Sequence, residues 1–414
     1  MVARVNPVTY LLLALLAVFV LYRGVFPGFR QVDSDFPNYY TAAKIVADGK
    51  DVNRLYDDSW FQSQIRSYGM QLQGKFSPFP PVTALVCLPL TFFEPLTALR
   101  ISVAMNLGLL VLSVIALARL LPCSPVGSAV FALLAGIGLA NCLRLGQLYI
   151  LVSTLMTLGY LAYTKKQPVL AGILLGLFVP IKYFPVIFLA YFAFRREWKL
   201  AVAGLLTALL VGLLGVAVLG WNIHKEFISI AGGHLLSRYS LQNPFAPEFQ
   251  SWDALLRRLF VFDTTLNPNP LIASSELFDA AKALILFSLA FFGMRSLVIV
   301  HRRRDANAEW LAIGTLGILG LLLAPGTATY HFVLLWLPLA LLLRYYQVRG
   351  QRGVVFSLVG LYAAMGFIPY SFTRQFDGRG VMTLLAYPRL MLLLAMFAVS
   401  VYFVRNKVAP GNVT

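Results

Sequence analysis

The chain has 414 residues, of which 59% are hydrophobic and only 12% charged, and its formal net charge is +17. Several apolar runs approach or exceed the roughly 18–20 residues needed to cross a bilayer. They exclude a soluble globule and predict an all-α integral membrane protein, because a helix satisfies its own backbone in lipid. The basic residues cluster between apolar runs, as at 195–199 and 344–352, which is typical of cytoplasmic loops and not of a nucleic-acid-binding surface.

The first apolar run, at about 9–27, is predicted to be a retained signal-anchor helix, because no small-residue cleavage site follows it. Further spans bring the total to about twelve, in a single polytopic domain over residues 1–414. They are predicted near 80–93, 98–121, 125–141, 147–164, 168–193, 199–220, 278–300, 309–324, 328–346, 353–371 and 383–404.

The positions of the basic clusters predict the orientation of the spans. If these clusters face the cytoplasm, residues 28–78 and 221–278 form two large extracytoplasmic loops. The basic turn TKKQ at 164–167 conflicts with this count, because it falls on the outer side. Pro180 and Pro185 are expected to break the helix that follows, so the topology between residues 120 and 195 stays open.

Two short helices are predicted in the first loop. One starts at Asp33–Asp35, has Pro37 in its first turn and stops at Gly49. The other falls within LYDDSWFQSQIRSYGM, residues 55–70, with an apolar side. We expect both helices to lie along the membrane interface, with aromatic side chains at the level of the headgroups.

The sequence Asp33-Ser34-Asp35 has two interpretations. A D-x-D pair resembles the motif by which sugar-nucleotide enzymes hold a divalent metal on a diphosphate, but three residues recur by chance. Asp33 also suits a helix N-cap, where a carboxylate accepts hydrogen bonds from the first free N–H groups. For Asp35 the surrounding motifs favour a functional role.

Those motifs follow one another in a fixed order. They are DFPNYYTAA at 35–43, FSPFPP at 76–81, RLGQL at 144–148, AGILLGLFVPIKYFPVIF at 171–188, FQSWDALLRRL at 249–259 and LLAPGTATYHFVLLWLPL at 322–339. Their order and spacing, from residue 30 to about 340, resemble glycosyltransferase family 87. The segment after about 350 carries no motif that matches.

The resemblance implies a GT-C glycosyltransferase fold in the bacterial cytoplasmic (inner) membrane. It implies transfer of a sugar, with mannose expected, from a polyprenyl-phosphate donor to a hydroxyl of a glycolipid or other acceptor. The transfer is inverting, needs neither a metal nor another cofactor, and takes place on the extracytoplasmic side. It also implies a catalytic Asp in the first outer loop, and Asp35 matches that position.

The chemistry of this reaction fits these residue types. An inverting displacement needs one base on the acceptor side, and a carboxylate at the boundary of water and lipid suits that role. The leaving group is a lipid monophosphate, which basic side chains stabilise without a metal.

Eight further residues are predicted to bind substrate. A lysine within a membrane segment, Lys182, is costly and usually has a function, although snorkelling to an interface also explains it. His331 has an alternative interpretation as a hydrogen-bonded interface residue. One of Arg257 and Arg258 equally suits a solvated helix face. The predicted substrate-binding residues are Asp33, Tyr39, Tyr40, Gln147, Lys182, Gln250, Arg257 and His331.

Two other classes of protein remain as alternatives. A transporter or flippase of lipid-linked sugars would carry broken helices and polar residues within several spans, and Lys182 between prolines offers one such site. A non-catalytic scaffold would not need acids and amphipathic helices clustered in its outer loops.

Overall fold

A computed structural model describes residues 6–236, 243–302 and 307–405, which are helical and contain no β-strand. The chain divides into two compact units. Unit 1 consists of Met1–Leu16, Val114–Gly138 and Asn243–Thr414, and unit 2 consists of Ala17–Ser113 and Leu139–Gln242.

The helices of the first half of the chain begin with a nearly continuous segment, α1 (Pro7–Val20) and α2 (Phe26–Arg30), joined by a π-helical turn at Leu21–Val25. They continue as α3 (Phe36–Ala47), α4 (Asp58–Ser67), α5 (Pro95–Leu117), α6 (Pro125–Leu133), α7 (Ile137–Arg144), α8 (Tyr149–Thr164), α9 (Pro168–Gly176), α10 (Val186–Phe194), α11 (Trp198–Leu219) and α12 (Trp221–Leu236). Short 3₁₀ helices occupy Val52–Arg54, Pro81–Leu85 and Leu88–Leu90.

The second half contains α13 (Trp252–Phe260), α14 (Ser275–Arg302), α15 (Ala308–Leu323), α16 (Trp336–Val348), α17 (Arg352–Phe367), α18 (Tyr370–Thr373) and α19 (Pro388–Arg405). Its 3₁₀ helices lie at Thr329–Leu335, Arg374–Phe376 and Gly380–Ala386. Within unit 1, α15 packs against α14, α16 and α19.

The length of the helices supports a multi-pass membrane protein. Among the described residues, five helical segments are long and apolar enough to cross a bilayer, and three bent pairs raise the number to eight if each pair is one span. The figure of about twelve is therefore not confirmed. Proline explains part of the difference: residues 80–93 form two 3₁₀ turns, and 168–193 is divided into α9 and α10 by a break that contains Pro180 and Pro185.

The first predicted loop, 28–78, contains α3 and α4. Helix α3 ends near Gly49, which has φ +63°, and every residue from Phe36 to Ala43 is buried. Helix α3 is thus a core helix of unit 2 and does not lie on its surface, whereas α4 buries only one side, at Phe61 and Ile65.

Four consecutive helices of unit 2, α8 to α11, pack against their neighbours in the chain. Near the end of α8, the Tyr163 hydroxyl donates to Glu197 Oε1 over 3.1 Å, and the Tyr163 and Phe192 rings lie 4.7 Å apart. The two basic turns at 164–167 and 195–199 therefore lie at the same end of this group of helices.

Candidate active site

The start of α3 presents Asp35 in the N-cap position, but its side chain makes no capping hydrogen bond. Instead the carboxylate Oδ2 accepts a hydrogen bond from Gln147 Nε2 over 2.6 Å. Because Pro37 lies in the first turn and has no N–H, fewer backbone donors compete for the carboxylate. The Asp35 side chain is therefore held by a residue 112 positions away in the chain.

Asp33 has different partners from Asp35. One of its oxygens accepts from the Ser34 N–H over 2.7 Å, and the other forms an ion pair with Arg144. Since α3 begins at Phe36, Asp33 lies before the cap position, and the interpretation of Asp33 as the N-cap is wrong. Within the described part of the chain, no group of three or more His, Cys, Asp or Glu side chains has the arrangement of a metal site.

Arg144 and Gln147 reach the two aspartates from the turn between α7 and α8. Gly146 in this turn has φ +62°, a conformation that favours glycine. A Cβ atom at this position would lie 2.6 Å from Cδ2 of Phe36, the first residue of α3. The sequence RLGQL thus turns closely against the start of α3, and this contact places its arginine and glutamine beside Asp33 and Asp35.

Behind Asp35 a line of hydrogen bonds continues into the core of unit 2. The Tyr39 hydroxyl donates to Gln147 Oε1 over 2.9 Å, and Lys182 Nζ donates to the Tyr39 hydroxyl over 3.1 Å. Tyr39, Gln147 and Lys182 are 0%, 1% and 8% exposed. Burial, together with the negative charge of nearby groups that include Asp35, raises the pKa of Tyr39 well above its usual range, so Tyr39 keeps its proton as a donor.

Lys182 lies in the break between α9 and α10, surrounded by aromatic rings. Its Nζ atom is 4.7 Å from the ring centre of Phe79, 4.9 Å from that of Tyr149 and 5.5 Å from that of Tyr39. These distances are typical of cation–π contacts, which stabilise a charge that water does not reach. Lys182 is thus buried with its own partners and does not snorkel to a surface.

The neighbouring Tyr40 points to a different part of unit 2. Its hydroxyl donates to the carbonyl oxygen of Phe93 over 2.7 Å, and its ring lies 6.0 Å from that of Phe36. The hydrogen bonds of Tyr39 therefore lead to Gln147, whereas that of Tyr40 holds the segment before α5.

The remaining predicted residues lie in unit 1. The amide of Gln250 is fully buried. It donates to the carbonyls of Pro247 and Ala386 over 2.7 and 3.0 Å, and its Oε1 accepts from the Arg389 N–H over 3.0 Å. Gln250 therefore joins its own segment to the backbone of residues 386–389 of unit 1.

Arg257 and His331 also have partners within unit 1. Arg257 Nε donates to Asp253 Oδ2 over 2.6 Å, and Lys282 forms a second ion pair with the same carboxylate. The His331 Nδ1 atom lies 3.1 Å from the carbonyl oxygen of Ala328. Substrate binding by these residues stays a prediction.

The structure adds residues that the sequence analysis did not select. Tyr149 and Phe79 surround Lys182, and Asp253 holds Arg257. Arg389 is 1% exposed and lies in the apolar run 383–404, so the cost of a charge within a membrane segment was a signal for it. Tyr149 and Phe79 gave no such signal, because aromatic residues are common throughout this chain.

Comparison with known proteins gives two results. The sequence profile of Glycosyltransferase family 87 matches residues 78–325, about three fifths of the chain. The matched segment includes Arg144, Gln147 and Lys182 and begins after Asp35 and Tyr39.

The chain is also similar to a curated protein of Mycolicibacterium smegmatis, named polyprenol-phosphate-mannose-dependent alpha-(1-2)-phosphatidylinositol mannoside mannosyltransferase. The two are 25% identical over 225 residues, which is 51% of this chain and 44% of the relative. The alignment thus spans less than half the length of that relative.

Proposed function

We propose a specific reaction for this chain, which belongs to glycosyltransferase family 87 and is a membrane glycosyltransferase. The donor is a polyprenyl-phosphate sugar, and the sugar is mannose. The acceptor is a hydroxyl group of a glycolipid or another envelope molecule. The activity for which the mycobacterial relative is named supports this choice of donor.

Asp35 is the general base of the proposed reaction. Its carboxylate takes the proton of the acceptor hydroxyl, the acceptor oxygen forms a bond to the anomeric carbon, and the bond to the lipid phosphate breaks on the opposite face. The result is an inverted, α-linked product. The observation that carries this assignment is a carboxylate at a helix start that makes no cap and is held by a buried amide.

The setting of the reaction completes the proposal. The enzyme has a GT-C fold, α3 and α4 belong to the extracytoplasmic side, and the transfer needs no metal. The ion pair between Asp33 and Arg144 supports transfer without a metal, because it occupies the carboxylate that a D-x-D metal site would require. Tyr40 is a proposed contact to the substrates in unit 2, and Gln250, Arg257 and His331 are proposed contacts within unit 1.

Substitution of the base tests the proposal. Purified enzyme receives a labelled polyprenyl-phosphate mannose and a membrane lipid extract, with EDTA present, and the product is identified by mass. We expect Asp35→Asn to lower the rate by about 100-fold or more, the usual contribution of a general base. Asp58→Asn, the same change at an exposed residue of the same predicted loop, should retain activity.

Two results would overturn the proposal. Transfer by Asp35→Asn near the wild-type rate would show that the base is another group. Movement of the intact lipid-linked sugar across vesicles without any transfer would favour the transporter alternative.

A further inference from the structure

Three hydrogen bonds connect Lys182 to Asp35 through Tyr39 and Gln147, and in this series each donor and acceptor is fixed. A lysine ammonium group only donates, and a carboxylate only accepts. Lys182 therefore donates to the oxygen of Tyr39, whose proton is directed to Gln147 Oε1. Because the carbonyl oxygen of Gln147 is occupied in this way, its NH₂ group faces Asp35.

The fixed direction has a chemical consequence. A glutamine amide has two orientations that differ by a half-turn, and they exchange donor and acceptor. In the reversed orientation the Gln147 oxygen would face the Asp35 carboxylate, and its NH₂ group would face a hydroxyl that already accepts from Lys182. The two ends of the series thus select a single orientation.

We propose that Tyr39 and Gln147 are positioning residues for Asp35, and that Lys182 acts as the fixed donor that sets the orientation of both. Their function is to hold the carboxylate ionised and aimed at the acceptor hydroxyl, and they do not bind the sugar or the phosphate. This inference rests on the proposed function of Asp35 as the base.

The surroundings of the series support this role. All three supporting side chains are buried, and the three aromatic rings around Lys182 leave its ammonium few directions in which to donate. Tyr39 comes from α3, Gln147 from the turn before α8 and Lys182 from the break before α10. The orientation of Asp35 therefore depends on three separate segments of unit 2, and a buried, directed network of this kind keeps one geometry.

The first test replaces the donor that faces the base. Gln147→Glu places a second carboxylate next to Asp35, and a like charge raises the pKa of a carboxyl group. Asp35 must be ionised to act as a base, so the acidic limb of the kcat–pH profile should move to higher pH, by about one unit or more. A purely structural role of Gln147 would lower the amount of folded enzyme without moving this limb.

The chain contains a matched control for this change. Elsewhere in unit 2, Lys50 Nζ donates to Gln64 Oε1 over 2.7 Å and lies 4.4 Å from the ring centre of Tyr68. Lysine, glutamine and tyrosine thus occur together here as well, half-buried between the segment after α3 and helix α4. Gln64→Glu adds the same charge as Gln147→Glu and should leave the limb in place.

The second test removes the hydroxyl that fixes the amide. Tyr39→Phe keeps the ring and should lower kcat by about 10- to 100-fold with little change in the KM for the donor, because the base is misaligned and the sugar is still bound. The same substitution in a Gln147→Met enzyme should add almost nothing, because the two residues act in series. Tyr68→Phe, which removes a hydroxyl bonded to Asp48 Oδ2, is the control.

The results separate this inference from the proposed function. If wild-type transfer depends on Asp35 but Gln147→Glu leaves the acidic limb unchanged, or Tyr39→Phe raises KM and not kcat, the positioning role is wrong and the base assignment stands. If Asp35→Asn remains active, the proposed function itself fails. Tyr39→Phe and Gln147→Glu decide the matter without a substitution of the buried Lys182.

Discussion

Two aspartates only two residues apart differ in their surroundings. Asp33 pairs with Arg144, whose side chain is 38% exposed, and exposed ion pairs contribute little to stability. Asp35 is held by Gln147, which is 1% exposed and bonded in turn to Tyr39. Asp33 is therefore paired with a partly exposed arginine, whereas Asp35 is held from the core.

Gly146 allows the turn before α8 to reach the two aspartates. We predict that Gly146→Ala disrupts the site. Its φ of +62° costs a residue with a Cβ about 1 kcal/mol. The new methyl group would also contact the Phe36 ring at 2.6 Å, which adds about 1–3 kcal/mol. We expect a lower Tm in detergent and a kcat reduced more than about 10-fold, because displacement of Phe36 moves Asp35.

A second glycine distinguishes the backbone cost of that substitution from the cost of the side-chain clash. Gly49 has φ +63°, and a Cβ there would meet nothing within 4 Å. Gly49→Ala therefore has the backbone cost without the clash, and its kcat should stay near the wild-type value. Equal losses of kcat in the two variants would contradict a specific role for the contact between Gly146 and Phe36.

The sequence indicates single residues of the candidate site but not their partners. Asp35, Gln147 and Lys182 each belong to a motif or carry an unusual charge for their position. The hydrogen bonds among Lys182, Tyr39 and Gln147 join residues more than 100 positions apart, and no local pattern encodes such a separation. Lys182 was therefore predicted at the phosphate, whereas its hydrogen bond leads to Tyr39.

At the scale of elements, glycines allow α9 and α11 to approach closely. Gly172 and Gly176 are four residues apart on α9, and a Cβ at either would meet the backbone of α11, around Leu200 and Gly204. Small residues at this spacing are typical of tightly packed membrane helices. This packing also fixes the end of α9, from which the chain continues to Lys182.

We predict that Gly176→Ala destabilises unit 2. Its Cβ would collide with the Gly204 carbonyl, and backbone cannot rotate away as a side chain can. The expected loss is about 1–3 kcal/mol, measured as a lower Tm in detergent, with a parallel loss of transferase activity because Lys182 follows α9. Gly212→Ala on α11 is the control, because a Cβ there meets nothing within 4 Å; an equal fall in its Tm would contradict the packing argument.

Length and composition predicted the long apolar helices well and the short ones poorly. The segments at Pro7–Arg30, Pro95–Leu117, Trp198–Leu219 and Ser275–Arg302 correspond to predicted spans. Residues 80–93 and 168–193 are also apolar, but proline divides them into shorter helices. The helix after Asp35 was predicted from Pro37 and Gly49, but its burial was not, because aromatic residues suit a membrane interface and a core equally well.

At the scale of the molecule, unit 2 offers a consistent orientation. Gln147 just before α8 and Lys182 after α9 both contact Tyr39, so α8 leads away from the site and α9 leads back. With 16 residues, α8 is about 24 Å long at 1.5 Å per residue. The turn TKKQ therefore lies far from Asp35, beside the second basic turn at 195–199, to which Tyr163 is bonded.

This arrangement suggests a topology without the conflict, and that topology is testable. We predict that both basic turns face the cytoplasm, in agreement with the positive-inside rule, and that Asp35 lies toward the opposite side. Single cysteines are introduced into a Cys123→Ser chain, since Cys87 and Cys142 are buried and Cys123 is exposed. In spheroplasts we expect Ser59→Cys to react with an impermeant maleimide.

The same reagent should label Lys165→Cys and Lys199→Cys only after permeabilisation. Lys165 and Lys199 are exposed and represent the two basic turns, one on each side of the α9–α10 segment. If α9 and α10 crossed the bilayer as one continuous helix, these two positions would react from opposite sides. Labelling of both from the same side would show that this segment enters the membrane and returns, with Lys182 near its tip.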